Sequence, residues 1–547
     1  MNNMLRAGLV ILTSCAALAV PRIASAAQSA SAPQASADKS CDTVASLKLP
    51  DATITAATLV PAGPFVPNAA AAGGGRGGPP PSLPSFCRVQ LTVAPAINIE
   101  VWMPASGWNG KFEGVGGGGF AGIIVYPALA NAVRAGYAAA STDTGHQGNT
   151  GQFALGHPEL VVDFGYRAIH EMTVKGKQVT AAFYGMTPRD SYFIGCSTGG
   201  RQGLAEAQRY PEDYNGIVSG APAIDWTHLN VSGVWLALAT LKDPEDYFPA
   251  SKLPAIHEAS VAACDLTDGV KDGLVSDPRA CRFEPSTLVC RDGADAPDCL
   301  TPKQAAALKK IYDGTKSPDG LTIYPGRLPG VERGWGAFIT GTSIGRSVGY
   351  TYGTDYMKYF VFGDPDWDYR TWNFSKDMAN VDADRKNRSA MDTWSPDLKR
   401  FRDRGGKLIV YHGWGDDAVS PLSSINYFKM VVEKTTGGPK AADALAPEDA
   451  RFRQAARKTG DFMRLFMVPG MNHCGGGQPT GPYVFDAVTA LSNWVEKNQP
   501  PETLLGAHVT NGATDLTRPL CPYPEVAQYA GHGDVRDAAN FGCGFPK

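Results

Sequence analysis

Long apolar runs are scarce in this chain of 547 residues. Residues 7–20 are too few to cross a bilayer, which takes about 20 apolar residues, and no other run comes near that length. The expectation is a soluble protein without a stable membrane span. An excess of either charge is also missing. Lys and Arg number 50 against 53 Asp and Glu, a formal net charge of −3 with only 19% of residues charged. That balance speaks against a nucleic-acid partner and against an acidic polymer. No Cys-x-x-Cys pair occurs, which weakens zinc-binding and thioredoxin-like readings, and no His-Glu-x-x-His occurs to carry a metal-dependent hydrolase. No internal repeat is found.

What is present begins with an address. Residues 1–26 read as a signal peptide: a short polar start, an apolar stretch, and Ala24-Ser25-Ala26 as a small-x-small cleavage site. Leu12-Thr13-Ser14-Cys15 has the form of a lipoprotein box, but the apolar stretch runs on past Cys15, which favours cleavage after Ala26. The expected location is secreted or periplasmic, with lipid anchoring through Cys15 as the alternative. Of eleven cysteines, ten remain once Cys15 is set aside, an even number in an exported protein, which favours a disulfide framework. Many connectivities satisfy that count. The economical one joins neighbours, Cys41–Cys87, Cys264–Cys281, Cys290–Cys299 and Cys521–Cys543, and leaves Cys196 and Cys474 for each other.

Residues 27–40 are Ala/Ser-rich and expected to be a disordered linker, and 68–81 form a second low-complexity piece. Strand-like runs follow at 89–93, 97–102, 111–115, 137–141, 191–194, 217–220, 407–411 and 463–468. Helical spacing appears over 162–184 and again over 199–210, stopped near Pro211. Strand, loop and helix alternating in this way predict an α/β fold with a mainly parallel sheet covered on both faces. The stretch 226–394 breaks the rhythm and reads as an inserted lid. The core is then 41–225 for its first part and 395–547 for its second.

Gly195-Cys196-Ser197-Thr198-Gly199 fits G-x-S-x-G, follows an apolar strand and opens a helix, the setting of a nucleophile elbow. This makes Ser197 the candidate nucleophile of an α/β-hydrolase fold. A serine hydroxyl needs a base to take its proton. In this fold the chain order is Ser, acid, His, each on a loop after a strand. Of nine histidines, His473 meets that condition, after the strand 463–468. If Cys196 and Cys474 are bonded, the neighbours Ser197 and His473 are forced together, since a disulfide holds two Cα atoms within about 7 Å. The acid belongs after strand 407–411, where Asp416 and Asp417 are both placed to orient an imidazole; His412, just before them, reads as a strand-end structural residue. The oxyanion hole uses the N–H of Thr198 and one from a glycine loop, here Gly116-Gly117-Gly118-Gly119, with Gly118 the central choice. No Lys-Ser/Thr follows those glycines, so they are not a P-loop.

These pieces together resemble the tannase and feruloyl esterase family, which includes mono(2-hydroxyethyl) terephthalate hydrolases. The matches are Phe86-Cys87-Arg88-Val89, residues 195–200, Tyr210-Pro211-Glu212-Asp213-Tyr214-Asn215-Gly216, residues 411–416 and Asn472-His473-Cys474. The resemblance implies that the acid is Asp416, closing His-Gly-Trp-x-Asp, and that Cys196 and Cys474 form a disulfide beside the catalytic residues. It also implies a structural calcium ion in the lid, bound by the side chains of Asp265, Asp268 and Asp272 and the carbonyls of Val270 and Leu274. Three carboxylates in a short Gly-containing loop suit a hard cation, although an acidic turn has the same composition. Lid aromatics Trp367, Trp372 and Phe374 are candidates for a wall against a planar acyl group. The implied activity is a serine carboxylesterase acting on small aromatic-acid esters of feruloyl, galloyl or terephthaloyl type, with no organic cofactor. The alternatives are a lipase- or peptidase-like serine hydrolase of other esters, or an inactive binding protein of the same fold. Nothing in the sequence sets an oligomeric state.

Overall fold

A nine-stranded sheet organises the chain. Its strands are β1 (Ala52–Val60), β2 (Phe86–Val93), β3 (Ile97–Pro104), β4 (Lys111–Val115), β5 (Ala138–Thr142), β6 (Asp190–Cys196), β7 (Gly216–Gly220), β8 (Lys407–Gly413) and β9 (Met463–Val468). This is a computed structural model, and it describes residues 41–65, 82–291, 294–437 and 449–546. The expected signal peptide 1–26 with Cys15, the linker 27–40 and the loop 68–81 lie outside the described residues.

The spatial order is β1-β2-β3-β5-β4-β6-β7-β8-β9. The first three strands and the β3–β5 pairing are antiparallel. From β5 onward every pairing is parallel. Burial follows the same division. β2 alternates buried and half-buried residues, whereas β5 and β7 are buried at every position, as strands covered on both faces must be.

Helices α1 (Tyr126–Arg134) and α9 (Ala487–Lys497) cover one face, packing Leu129, Val133, Leu491 and Trp494 on Trp102, Tyr192, Val218 and Ile409. Helices α2 (Ala168–Tyr184), α3 (Thr198–Arg209) and α8 (Pro421–Thr436) cover the other, packing Met172, Val179, Leu204 and Phe428 on Phe112, Phe193, Ile217 and Val410. The architecture is α/β, of the α/β-hydrolase type.

Between β7 and β8 the chain leaves the sheet and builds a largely helical insertion, including α4 (Trp226–Thr240), α5 (Leu253–Cys264), α6 (Pro302–Asp313) and α7 (Val348–Asp355). It has a core of its own around Ile256, Leu308, Ile311 and Trp335. A second cluster, with Phe120, Phe164, Trp226, Val231 and Phe360, joins it to the sheet's edge. Helix α6 starts on a full capping box, Thr301 with Gln304, and Pro302 at its first position. Among the described residues five disulfides form, joining the same cysteines that neighbour pairing joins: Cys41–Cys87, Cys196–Cys474, Cys264–Cys281, Cys290–Cys299 and Cys521–Cys543.

Candidate active site

The turn between β6 and α3 holds Ser197 at φ 63° and ψ −122°, a conformation that L residues rarely adopt. Such a residue costs about 1–3 kcal/mol and persists only where its surroundings over-determine it. Here they do. The Ser197 N–H donates to the Gly220 carbonyl at 2.9 Å, and the Ser197 carbonyl accepts from the Arg201 and Ala223 N–H groups at 3.0 and 3.2 Å. Glycine flanks are required on both sides. A Cβ at Gly195 would stand 2.5 Å from the Gly199 oxygen, and one at Gly199 would stand 2.9 Å from the Gly117 oxygen.

Asp416 lies on the loop after β8, fully buried. Its Oδ2 accepts from His473 Nδ1 at 2.7 Å and from His412 Nε2 at 3.0 Å. Its Oδ1 accepts from the N–H groups of Ala418 and Val419 at 2.9 and 2.7 Å. Burial alone would raise this carboxyl, but the charge of His473 and the hydrogen bonds from both histidines hold it below the usual carboxylate range. For His473, burial favours the neutral ring, and the Asp416 charge and hydrogen bond outweigh it to raise the pKa. Asp417 is the contrast. Burial, then the neighbouring Asp416 charge, push its carboxyl up to about 7. Among the described residues its Oδ2 accepts a single long contact, from the Phe338 N–H at 3.4 Å. Of the two aspartates, only Asp416 meets the imidazole.

The loops after β6 and β9 are tied by Cys196–Cys474, with Cα atoms 5.8 Å apart. Ser197 and His473 thereby line one cavity. Among the described residues the Ser197 hydroxyl makes no hydrogen bond, a looseness common in sites without substrate. Beside it the glycine loop is pinned to the elbow. The Gly116 N–H donates to the Ile194 carbonyl and the Gly117 N–H to Gln202 Oε1, each at 2.9 Å. The Thr198 hydroxyl donates to the Gly119 carbonyl at 2.9 Å. That leaves, among the described residues, the N–H groups of Gly118 and Gly119 and that of Thr198, at the first position of α3, without an acceptor. Gln202 is a loop-setting residue that the sequence does not single out; its place one turn beyond the elbow is the only signal it carries.

The cavity measures about 480 Å³, within the usual range for small-molecule sites. One half is core backbone, the glycine loop and elbow. The other half comes from the insertion: Trp226, Leu229, Leu236, Phe338 and Tyr352, with Asn230 and Arg327 as polar points beside Asp417 of the loop after β8. Trp367, Trp372 and Phe374 are not among the lining, which corrects the expectation for them. Trp367 stacks on Phe362 at 5.3 Å, Trp372 meets Phe374 edge-on at 5.6 Å, and Phe374 meets Trp235 at 5.4 Å, on a part of α4 outside the lining. Trp372 is buried, and Trp367 and Phe374 are half-buried against the same apolar cluster of the insertion, which takes part of their surface from water.

The acidic loop after α5 is braced by Cys264–Cys281. Asp265 Oδ1 accepts the N–H groups of Asp272 and Gly273 at 3.2 and 3.0 Å. Asp268 accepts from the Val270 N–H and the Ser276 hydroxyl, and Asp272 from the Leu274 N–H and Arg518. Burial, and to a lesser degree the Asp268 charge, raise the Asp272 carboxyl. The donor set of Asp265, Asp268 and Asp272 with the Val270 and Leu274 carbonyls is all hard oxygen, which fits calcium chemistry. Among the described residues the side chains whose ligand atoms converge within 4.8 Å are others, His170, Glu206 and Asp213. There His170 Nδ1 is already bonded to Asp213 Oδ2 at 2.6 Å.

Comparison with known proteins gives the chain its relatives. Residues 84–544 match the family model for tannase and feruloyl esterase. The chain is 38% identical over 544 residues to an uncharacterized esterase of Xanthomonas campestris, covering 93% of this chain and 92% of that one. It is 32% identical over 476 residues to feruloyl esterase B of Aspergillus niger, covering 84% and 86%. Among solved structures, feruloyl esterase B from Aspergillus oryzae superposes with a TM-score of 0.80 at 30% identity, over 92% of this chain and 100% of that one. The tannin acyl hydrolase of Aspergillus niger, at 22% identity and a TM-score of 0.75 over 93% and 95%, shares the fold.

Proposed function

The chain belongs to the tannase and feruloyl esterase family and is a carboxylic ester hydrolase, and from that premise we propose that it works as a serine esterase on esters of small aromatic acids. The observation that carries the proposal is the 2.7 Å bond from His473 Nδ1 to a buried Asp416, facing an elbow serine in the same cavity. With Nδ1 donating to Asp416, the other ring nitrogen, Nε2, is the base. It takes the Ser197 proton as Oγ attacks the ester carbonyl, and Asp416 stabilises the imidazolium. The N–H of Thr198 and that of Gly118 or Gly119 are the unclaimed donors for the oxyanion. His473 returns the proton to the departing alcohol, and water then releases the acid from the acyl-enzyme. The aromatic and aliphatic wall from the insertion suits a planar ring. In this reading residues 226–394 are a lid that supplies the acyl wall.

The test is hydrolysis of methyl gallate, methyl ferulate and mono(2-hydroxyethyl) terephthalate by the purified protein. One of these turns over at least tenfold faster than an aliphatic ester of equal size. Equal or better rates on the aliphatic ester defeat the aromatic-acid reading and leave a general esterase.

We further propose export, which the five disulfides support, and a structural calcium ion held by Asp265, Asp268, Asp272 and the Val270 and Leu274 carbonyls. The ion would draw these carboxylates together, in competition with Arg518 for Asp272, and take no part in acyl transfer. Chelation with EGTA then lowers the melting temperature by about 3–8 °C, and added calcium restores it. A melting temperature indifferent to both would exclude the ion.

A further inference from the structure

His412 sits near the end of β8 with no exposed side-chain surface, and both of its ring nitrogens are engaged. Nδ1 lies 2.8 Å from the Ser424 hydroxyl on α8. Nε2 faces two acceptors, Asp416 Oδ2 at 3.0 Å and the Val419 carbonyl at 3.1 Å. An atom facing two acceptors must carry the proton, so Nε2 is the donor and, in the neutral ring, Ser424 donates to Nδ1. The consequence for Asp416 is a full complement. A carboxylate has about four acceptor sites. Here the N–H groups of Ala418 and Val419 take Oδ1, while His473 and His412 share Oδ2.

We propose that His412 is a positioning residue of the catalytic centre: by donating to the oxygen that also receives His473 Nδ1–H, it locks the plane of the Asp416 carboxylate and draws off part of the charge that His473 feels. This rests on the reading of Ser197, Asp416 and His473 as a triad. A donor on Oδ2 stabilises the Asp416 anion and weakens its hold on the imidazolium proton, so His473 stays neutral, and competent as a base, to lower pH. The groups that act on His473 are Asp416, Asp417 and Arg327, with the Phe338 ring edge-on at 5.6 Å. Around His412 they are Asp416, the Ser424 hydroxyl and the Val419 carbonyl. Among the described residues Asp416 is the charged group that hydrogen-bonds both histidines, and it is the route by which His412 acts on His473.

His412→Phe keeps a ring and removes both nitrogens. Its kcat falls by about 10- to 100-fold through misplacement of Asp416, with KM within about threefold. The acid limb of the kcat/KM–pH profile moves up by about 0.5–1 unit, because an Asp416 without its second donor holds the His473 proton more tightly. His412→Gln, which can present an amide N–H to the same oxygen, recovers most of both effects. Ser424→Ala, a milder change that frees the ring to turn, moves the limb the same way by less, and it decides the matter if the phenylalanine variant does not fold. The low-field proton resonance of His473 Nδ1–H shifts in parallel. An acid limb that stays in place, or moves down, in folded variants overturns the proposal and leaves His412 a packing residue. Esterase activity that survives Ser197→Ala would instead remove the triad itself, whatever His412 does.

Discussion

Ser197→Ala lowers kcat/KM on any ester the protein hydrolyses by about 10⁴- to 10⁶-fold. The size follows from what is lost and what stays. Alanine removes the nucleophilic oxygen, and the histidine base is left with only water to deprotonate. The backbone donors of Thr198 and the glycine loop are untouched, so slow attack by water on a bound ester is the residue of activity left. The fold is not expected to move. Among the described residues the hydroxyl makes no hydrogen bond, and alanine keeps the Cβ that already tolerates φ 63°. An unchanged melting temperature beside lost turnover, followed by product chromatography, is the expected pair of results. A variant within tenfold of the parent would place the nucleophile elsewhere.

The second large effect concerns the Cys196–Cys474 bridge. Strands β6 and β9 are separated in the sheet by β7 and β8. At about 4.8 Å per strand their backbones run about 14 Å apart. The loops that carry Ser197 and His473 must reach across that gap, and the bridge is the covalent tie that holds their ends 5.8 Å apart at Cα. Replacing both cysteines by serine costs about 2–4 kcal/mol of stability. It also lets the base drift from the nucleophile, where 1 Å is worth about 100-fold in rate. The expectation is a fall in kcat of about 100-fold or more at a temperature where the variant is fully folded. The Cys521–Cys543 bridge supplies the control, since it pins the C-terminal hairpin of Val526–Tyr529 with Phe541–Gly544 away from the cavity lining. Serine replacement there lowers the melting temperature and spares kcat. Equal kcat losses in both double variants would mean that the first bridge acts only as a staple.

How much of this could be read before folding depended on locality. Ser197, Asp416 and His473 each follow a clear apolar strand, so chain order and strand ends were enough to nominate the serine and the histidine. Choosing Asp416 over Asp417 needed the family motif, and the structure shows why spacing alone leaves the pair open: the two neighbours point to different partners, one to His473 and the other towards Phe338. His412 looked like a strand end because its role depends on Asp416 curling back four residues later to meet it. The lid aromatics were misassigned for a related reason. Trp367 lies outside any helix, Trp372 ends the short turn Tyr369–Thr371 and Phe374 opens the helix Phe374–Ala383, so no single periodicity runs through them and sequence spacing does not tell an inward ring from one facing the cavity. Phe338 and Tyr352 line the cavity, whereas Trp367 and Trp372 do not.

The two halves of the cavity wall differ in how freely they can change. Behind the core side of the wall the elbow is closely packed: a Cβ at Gly195, Gly199 or Gly200 would meet a carbonyl oxygen at 2.5, 2.9 or 2.3 Å, and one at Gly116 in the lining would stand 2.6 Å from Gly199 Cα. Substitution at those glycines forces the backbone to shift, whereas a Cβ at Gly118 meets open space. On the opposite side the wall is made of side chains, Leu229, Leu236, Phe338 and Tyr352, carried by an insertion with its own apolar core. Divergence in substrate range, natural or directed, therefore has its widest route through these side chains. A library confined to those four positions can reshape the cavity while the elbow, Asp416 and His473 stay as they are, and selection for a new ester should enrich changes there before anywhere in the sheet.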